Sequence, residues 1–519
     1  MKMNSSLKLR ITLLFSVVFL AFESHAQTNK LVVNTESGNV QINKHIYGHF
    51  AEHLGRNIYG GIWVGPDSDV PNEDGYRKDV MQALIDLEIP NLRWPGGCFA
   101  DEYHWTDGIG DPNDRPKMVN TNWGGVTEDN SFGTHEFLNF TKKINTVPYI
   151  TGNVGSGSVE EMSKWIEYIN FDGESPMADL RRKNGQEDPW DIEYWGVGNE
   201  SWGCGGHMTP EYYANEYRRY ATYARDYGGN KLYKIAGGAN NWDLNWTEVL
   251  MKNIPLQMMD GLSLHYYTVT GTWEEKGAAT KFTKEEYLET LNKAAVMDDL
   301  IAKHSQIMDK YDPEKKVGLI IDEWGTWFKV EEGTNPGFLY QQNTMRDAHV
   351  AAITLNIFNK HAERVHMANL AQTVNVLQAI ILTNENDMIL TPTYHVFDLY
   401  KPHKDAILLD HFLSSEKVAF GKQSAEALHV STSKSEDGTV NISIANIHPD
   451  KKVSLDIDLL GKEFKTVSGE IVTASSVDTY NTFEKKDAVK KASFSDFKLN
   501  KNILKVDAPA NSVLMIRVK

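Results

Sequence analysis

Cysteine is almost missing: 519 residues hold two, Cys98 and Cys204. Neither lies near the N-terminal apolar run, which excludes a lipid anchor attached there. A basic surplus is missing as well. Lys and Arg total 53 against 70 Asp and Glu, a net charge of −17, which repels phosphodiesters and anionic bilayers. Nucleic acid and membrane are thereby excluded as partners. The chain has no Gly/Ser linker, internal repeat or low-complexity tract, so its domains should pack directly on one another. Long apolar runs are scarce too. The one at the start, Ile11 to Phe22, follows Lys2, Lys8 and Arg10 and precedes Ser24-His25-Ala26. That pattern predicts a signal peptide over 1–26, cut near Ala26, and an exported protein, periplasmic or secreted. The run is too short for a stable membrane span.

The composition is that of a globular protein, with 41% hydrophobic and 24% charged residues. The length exceeds what one compact domain usually holds, which predicts two. Thirteen Trp and 22 Tyr offer faces for stacking on sugar rings, although a large aromatic core explains them equally well.

Apolar strands and amphipathic helices alternate along most of the chain. Strands are predicted at Ile46 to Phe50, Asn91 to Trp94, Val147 to Gly152, Ile192 to Val197, Leu232 to Gly237, Leu262 to Tyr267, Val317 to Asp322 and Val365 to Ala368. Helices follow them, one started by Thr209 and Pro210 and ended by Gly228-Gly229, and the last at Val374 to Leu382. Eight such units predict an α/β fold, a (β/α)8 TIM barrel over 46–391. From about Pro392 the period changes to two, with turns at Glu436-Asp437-Gly438 and His448-Pro449-Asp450. Residues 392–519 are therefore read as an antiparallel β-sandwich. It is completed by an N-terminal hairpin over 27–45 that turns at Ser37-Gly38-Asn39.

Two buried strands each deliver a glutamate at their C-terminal ends, Glu200 after Gly198-Asn199 and Glu323 after Ile321-Asp322. In a parallel barrel those ends converge on the face that carries the chemistry. Two carboxyls flanking a cleft are what glycoside hydrolysis needs, one to attack the anomeric carbon and one to protonate the leaving oxygen. A lone glutamate after a strand is usually a solvated loop residue; two in matched settings point to catalysis.

These features come with longer motifs. The sequence contains His49-Phe50-Ala51-Glu52-His53-Leu54-Gly55, Leu92-Arg93-Trp94-Pro95-Gly96-Gly97, Tyr103-His104-Trp105 and Phe132-Gly133-Thr134-His135-Glu136-Phe137. Further on come Gly198-Asn199-Glu200, His265-Tyr266-Tyr267, Asp322-Glu323-Trp324 and Ala368-Asn369-Leu370-Ala371-Gln372. In this order the set resembles the family 51 glycoside hydrolases, the α-L-arabinofuranosidases, over nearly the whole chain beyond residue 26. The resemblance implies Glu200 as acid/base and Glu323 as nucleophile. It implies Glu52, Asn199, Tyr267 and Gln372 as sugar contacts, Arg93 and His265 as supports of the carboxylates, and Trp123 and Trp327 as pocket walls. It also implies arabinose-containing plant polysaccharides or oligosaccharides as substrates, and by analogy alone a homo-oligomer. Many members carry Asn after the Pro-Gly-Gly run. This chain has Cys98, and a thiol bonds a sugar hydroxyl less well than an amide.

Other patterns are weaker. His49-Phe50-Ala51-Glu52-His53 matches a metalloprotease motif, but that motif needs a helix and here it falls on a strand. Gly152 to Gly157 lacks dinucleotide-binding spacing. No metal and no cofactor are expected. Cys98 and Cys204 should lie close together at the barrel mouth, either as free thiols or as a disulfide. Two functional alternatives stand beside the arabinofuranosidase reading: a β-glycanase or β-xylosidase on the same barrel, and a catalytically silent glycan-binding protein.

Overall fold

Eight short parallel strands close into a barrel in the computed structural model, which describes residues 29–519. The segment read as a signal peptide lies outside the described residues. The strands are β1 (Gly48–Phe50), β2 (Asn91–Trp94), β3 (Val147–Gly152), β4 (Tyr194–Val197), β5 (Tyr233–Asn240), β6 (Gly261–Thr268), β7 (Gly318–Thr326) and β8 (Val365–Ala371). Each pairs with the next in chain order, and β8 returns to β1. A strand covered on both faces has no polar side to show, and all nine residues of β7 are buried.

The helices are α1 (Lys78–Leu87), α2 (Thr134–Lys143), α3 (Val159–Asn170), α4 (Pro176–Lys183), α5 (Pro210–Tyr223), α6 (Leu244–Asn253), α7 (Lys284–Tyr311), α8 (Met345–Lys360) and α9 (Pro392–Tyr400). Their starts are coded locally. Ser158 accepts from the Glu161 N–H, Thr209 from that of Tyr212 with Pro210 in the first turn, and Thr283 forms a reciprocal capping box with Glu286. α5 stops at Tyr223, short of the predicted glycine pair.

Three expectations need correction. Residues 374–382 are not a helix. Asn375 and Leu377 take φ of 61° and 51°, a left-handed backbone that no helix can include. The segment instead ends in the strand Ile381–Thr383, which pairs with Met388–Leu390. The helix that completes the eighth unit is α9, packed on α8 and α1, so the barrel runs past residue 391 to Tyr400. Pro392, read as a break, occupies the first helical turn, where its missing N–H costs nothing. The N-terminal segment joins the sandwich as a single strand, Lys30–Asn34. It pairs in parallel with Val453–Leu460 and antiparallel with His411–Ser414.

Period two sorts the sandwich strands. In Val440–Asn446, the residues Val440, Ile442 and Ile444 enter the core between the two sheets with Leu455, Ile457 and Ile516. The intervening positions face the barrel: Ala445 joins its apolar core with Val513 and Met515, and Ser443 donates to Asn356 at 2.8 Å. That contact explains α8, in which every residue from Met345 to Asn359 is buried. One side of α8 packs on the barrel strands and the other on the sandwich. Asn359 joins the two, accepting from the Tyr47 hydroxyl at 2.8 Å and donating to Ser431 Oγ at 3.1 Å. Among the described residues no helix is long and apolar enough to cross a membrane.

Asn359→Ala would leave the buried Tyr47 hydroxyl and Ser431 without their partner. The expected loss is about 1–3 kcal/mol in urea unfolding. A change below about 0.5 kcal/mol, as for an ordinary surface site, would show that the seam carries no load.

Candidate active site

Consecutive residues of a strand point to opposite faces, yet Asp322 and Glu323 both approach Arg93 and His265. The ladder accounts for this. The register of β7 against β8 slips between Ile321 and Trp324, and against β6 between Ser263 and His265. Such an irregularity re-aims side chains, and here it turns both carboxylates into the barrel. On β6 the alternate residues Ser263, His265 and Tyr267 share the inner face. Ser263 Oγ donates to Asp322 Oδ1 at 2.6 Å, and the Tyr267 hydroxyl donates to Glu323 Oε2 at 2.9 Å. His265 Nε2 lies 3.1 Å from Asp322 Oδ1.

Glu200 follows β4 through Gly198, whose φ is 84°, and itself takes a φ of 37°, a region costly for a residue with a Cβ. This turn brings its carboxyl over the barrel axis. Glu200 Oε1 lies 2.8 Å from His265 Nδ1, and Glu323 Oε2 lies 3.6 Å from the same nitrogen. One oxygen of each glutamate and one nitrogen of His265 all fall within 4.8 Å of one another. The Glu200 side chain keeps 18% of its surface exposed against 8% for Glu323, so the first is the more open to an entering molecule.

Arg93, on β2, ties the ends of several strands together. Nε donates to Thr151 Oγ1 at 3.1 Å, Nη1 to Glu323 Oε1 at 2.9 Å and to the Asp322 carbonyl at 3.0 Å, and Nη2 to Asn199 Oδ1 at 2.7 Å. Glu52, after β1, accepts from the Gly97 and Phe99 N–H groups and from Trp123 Nε1 on one oxygen, and from Gln372 Nε2 on the other. Gln372 is fixed in turn by Asn57 at 2.8 Å.

The charges are strongly shifted. Burial raises Glu200 above the usual carboxylate range; the charge of Glu323 adds to this, and the hydrogen bond from His265 works against it. Burial alone would push His265 down, but Glu323, Asp322 and Glu200 outweigh it and carry the imidazolium up to about 10. Burial would also raise Asp322, yet Arg93 and His265 hold it well below the ordinary value. Glu52 is pushed up to about 7, by burial first and by Glu323 next.

Nine of the eleven expected site residues line one cavity of about 690 Å³: Glu52, Cys98, Trp123, Glu200, His265, Tyr267, Glu323, Trp327 and Gln372. Arg93 and Asn199 sit beneath it, 1% and 2% exposed. Trp327 meets Tyr267 edge-on at 5.1 Å and Trp273 at 5.0 Å. Trp202, Trp242 and Trp273, which no motif singled out, also line the cavity, after β4, β5 and β6. Asp322, Ser263 and Tyr149 had no expected role either. The position of Ser263 two residues before His265 was the available signal, since alternation puts both on one face.

Cys98 and Cys204 are joined as a disulfide with Cα atoms 5.5 Å apart, which replaces the free-thiol alternative. Their sulfurs lie 4.0 and 3.6 Å from Glu200 Oε2. A bridged sulfur has no hydrogen to donate, so the side chain of Cys98 offers a sugar no donor. His49 and His53 lie on β1 and the loop after it. His49 packs on Phe397 with ring centroids 4.7 Å apart, and His53 Nε2 accepts from Trp94 Nε1 at 3.1 Å. Around Glu200 the possible metal donors are already committed, both nitrogens of His265 to carboxylates and the two cysteines to each other.

Gly97 passes so close over the site that a Cβ on it would lie 2.5 Å from Glu323 Oε1. Gly97→Ala is expected to displace that carboxylate from Arg93 and to cut glycoside turnover about 100-fold, the usual cost of a shift near 1 Å. More than a tenth of the turnover remaining would show that the loop yields instead.

Comparison with known proteins agrees with this geometry. Residues 83–279 match the α-L-arabinofuranosidase 1 domain and residues 322–512 the α-L-arabinofuranosidase C-terminal domain. An intracellular exo-α-L-arabinofuranosidase of Bacteroides ovatus is 53% identical over 515 residues, 98% of this chain and 100% of its own. The crystal structure of the family 51 arabinofuranosidase of Xanthomonas axonopodis pv. citri is 48% identical, covers 95% of this chain and 100% of its own, and superposes with a TM-score of 0.93. The α-L-arabinofuranosidase of Thermotoga maritima, solved with arabinose, is 30% identical over 95% of this chain and 100% of its own, with a TM-score of 0.83. These relatives overturn one expectation. The Bacteroides ovatus enzyme, alike along its whole length, is intracellular, so export after cleavage near Ala26 does not stand. An apolar run as short as Ile11 to Phe22 is not diagnostic of export, because runs of that length also serve inside proteins and at interfaces. Nor do the β-glycanase and silent-barrel alternatives remain: this chain belongs to the α-L-arabinofuranosidases of glycoside hydrolase family 51, enzymes that act on arabinose-containing glycans.

Proposed function

We propose that the protein is a retaining, exo-acting enzyme that releases terminal α-L-arabinofuranosyl residues from arabinan, arabinoxylan or related oligosaccharides by double displacement. The observation that carries this reading is the spacing of Glu200 and Glu323, with oxygens inside 4.8 Å. That is close to the roughly 5–5.5 Å of retaining enzymes and too short to hold a water between the two, as inversion requires. The buried end of the cavity supports exo action: Glu52 and Gln372, both 2% exposed or less, offer polar groups there to a terminal sugar, and Trp123 and Trp327 line the cavity with them.

Glu323 is the nucleophile. Its carboxylate oxygen bonds to the anomeric carbon while the glycosidic bond breaks, and the departing oxygen takes the proton of Glu200. Glu200, now a carboxylate, then removes a proton from water. The hydroxide oxygen bonds to the anomeric carbon, and the ester electrons return to Glu323. Arg93 and Tyr267 hold Glu323 in line. Burial raises Glu200, which keeps its proton available for the first step.

The two glutamates should fail differently. Glu323→Ala is expected to remove activity on every arabinofuranoside, activated aryl ones included. Glu200→Ala should lose about 10²–10⁴-fold on natural alkoxide leaving groups and much less in the first step on leaving groups that need no proton. It should also lose the alkaline limb of kcat/KM, because above its raised pKa Glu200 no longer has a proton to give. Azide needs no general base, so it should restore turnover to Glu200→Ala and yield the azide with retained configuration. Equal losses for good and poor leaving groups, with no azide product, would contradict the role of Glu200.

A further inference from the structure

His265 stands between two carboxyls, with Nδ1 on Glu200 and Nε2 on Asp322. The partner on the Nε2 side is itself immobilised. Asp322 is 2% exposed; Oδ1 takes the Ser263 hydroxyl at 2.6 Å, Oδ2 takes the Tyr149 hydroxyl at 2.7 Å, and Arg93 Nε lies 3.5 Å from Oδ2. A carboxyl with donors on both oxygens and a guanidinium beside it is ionised and accepts only. The Nε2–H of His265 is therefore fixed.

Carboxyl oxygens of Glu200, Asp322 and Glu323 lie 2.8, 3.1 and 3.6 Å from the two ring nitrogens, and anions on both sides favour the imidazolium. Arg93 and His265 then count as cations and Asp322 as an anion. Buried groups tolerate few uncompensated charges, so in the cluster that touches Arg93 and His265, from which Glu52 stands apart on its own four donors, two cations and one anion leave a place for one more negative charge. In the resting enzyme that charge is on the nucleophile Glu323, and Glu200 carries its proton. Once Glu323 is esterified the charge must sit on Glu200, whose Oε1 is 2.8 Å from the His265 ring. We propose that Asp322 is a positioning residue that keeps His265 an imidazolium, so that His265 is the fixed counter-charge of Glu200 in its base form and serves the second, water-consuming step. The proposal rests on the roles given above to Glu200 and Glu323.

Other charged and titratable groups nearby are consistent with this. His265 faces Glu200, Asp322 and Glu323. Arg93 and Tyr149 reach it through Asp322, the Tyr267 hydroxyl is on Glu323, and the charge of Glu323 acts in turn on Glu52. The same three carboxyls carry the imidazolium up to about 10 against the effect of burial.

The test uses the whole enzyme and an aryl arabinofuranoside with a good leaving group, for which the second step limits turnover. Asp322→Asn should lower kcat at least about tenfold while the burst of one phenol per active site persists, its rate reduced less than about threefold. The acid limb of kcat should move to higher pH, because without the imidazolium Glu200 in the glycosyl-enzyme gives up its proton less readily. His265→Gln, which keeps a hydrogen bond to Glu200 but no charge, should behave alike. If both steps slow equally and the limbs stay in place, Asp322 is structural and the proposal fails. Should Asp322→Asn not fold, 15N NMR of histidine-labelled wild-type enzyme decides, with His265 assigned through His265→Gln. Both ring nitrogens protonated at pH 7 to 8 supports the proposal; a neutral ring overturns it. Mass analysis of the burst species separates the two readings. Arabinosyl on Glu323 with unmoved limbs defeats the role of Asp322 alone, whereas no label on Glu323 defeats the proposed mechanism and the inference with it.

Discussion

A guanidinium sealed inside a barrel has to be paid for by anions and acceptors placed around it, and Arg93 is 1% exposed. Four of its five N–H donors reach β3 through Thr151, the loop after β4 through Asn199, and β7 through Glu323 and the Asp322 carbonyl. Removing any of these partners would strand part of a buried charge. The strand ends that carry Glu200 and Glu323 are therefore held in one geometry by a single side chain. The planar fork matters here, since a lysine in this place would offer a point charge and could not span four acceptors on three elements.

That geometry also depends on the irregular ladder of β7. A regular strand would show Asp322 and Glu323 to opposite faces, one in the barrel and one toward the helices, where an unpaired carboxylate would meet apolar side chains. With both turned inward, Glu323 acquires an ionised neighbour, and that neighbour anchors His265. Glu200 is brought opposite them by a residue in left-handed conformation, and Gly97 lets the β2 loop cover the site without touching Glu323. Each device is a local departure from regular structure, and all of them converge on the two glutamates.

The remainder of the fold supports this face from behind. α8 is buried along its length because the sandwich covers the side that the barrel does not. The polar seam of Asn356, Asn359, Ser431 and Ser443 sets how the two domains meet, while the apolar contacts of Ala445, Val513 and Met515 supply the burial. No linker separates the domains, in keeping with an interface that continues the core.

Most of the architecture was legible in the chain. Apolar runs on period-two and helical spacing, with caps such as Thr209 and Thr283, report local preference, and eight of them in succession leave little choice but a barrel. The two glutamates were legible for the same reason, since a strand end is a local feature with a known place in the fold. The errors fell where tertiary contacts override local pattern. Residues 374–382 look helical but are drawn into left-handed turns at the barrel mouth, and Pro392 reads as a stop although it starts α9. The residues around Lys30 look like half a hairpin but find their partners near residues 412 and 457. What the sequence alone determined was the set of elements, their order and the residue types that reach the mouth. Which of two adjacent carboxyls faces where, that Cys98 and Cys204 are bridged rather than free, and that Asp322, His265 and Glu200 form one chain were decided only by the tertiary structure. Strand register, bulges and charge pairing depend on residues far apart in the sequence, and nothing in a local pattern reports them.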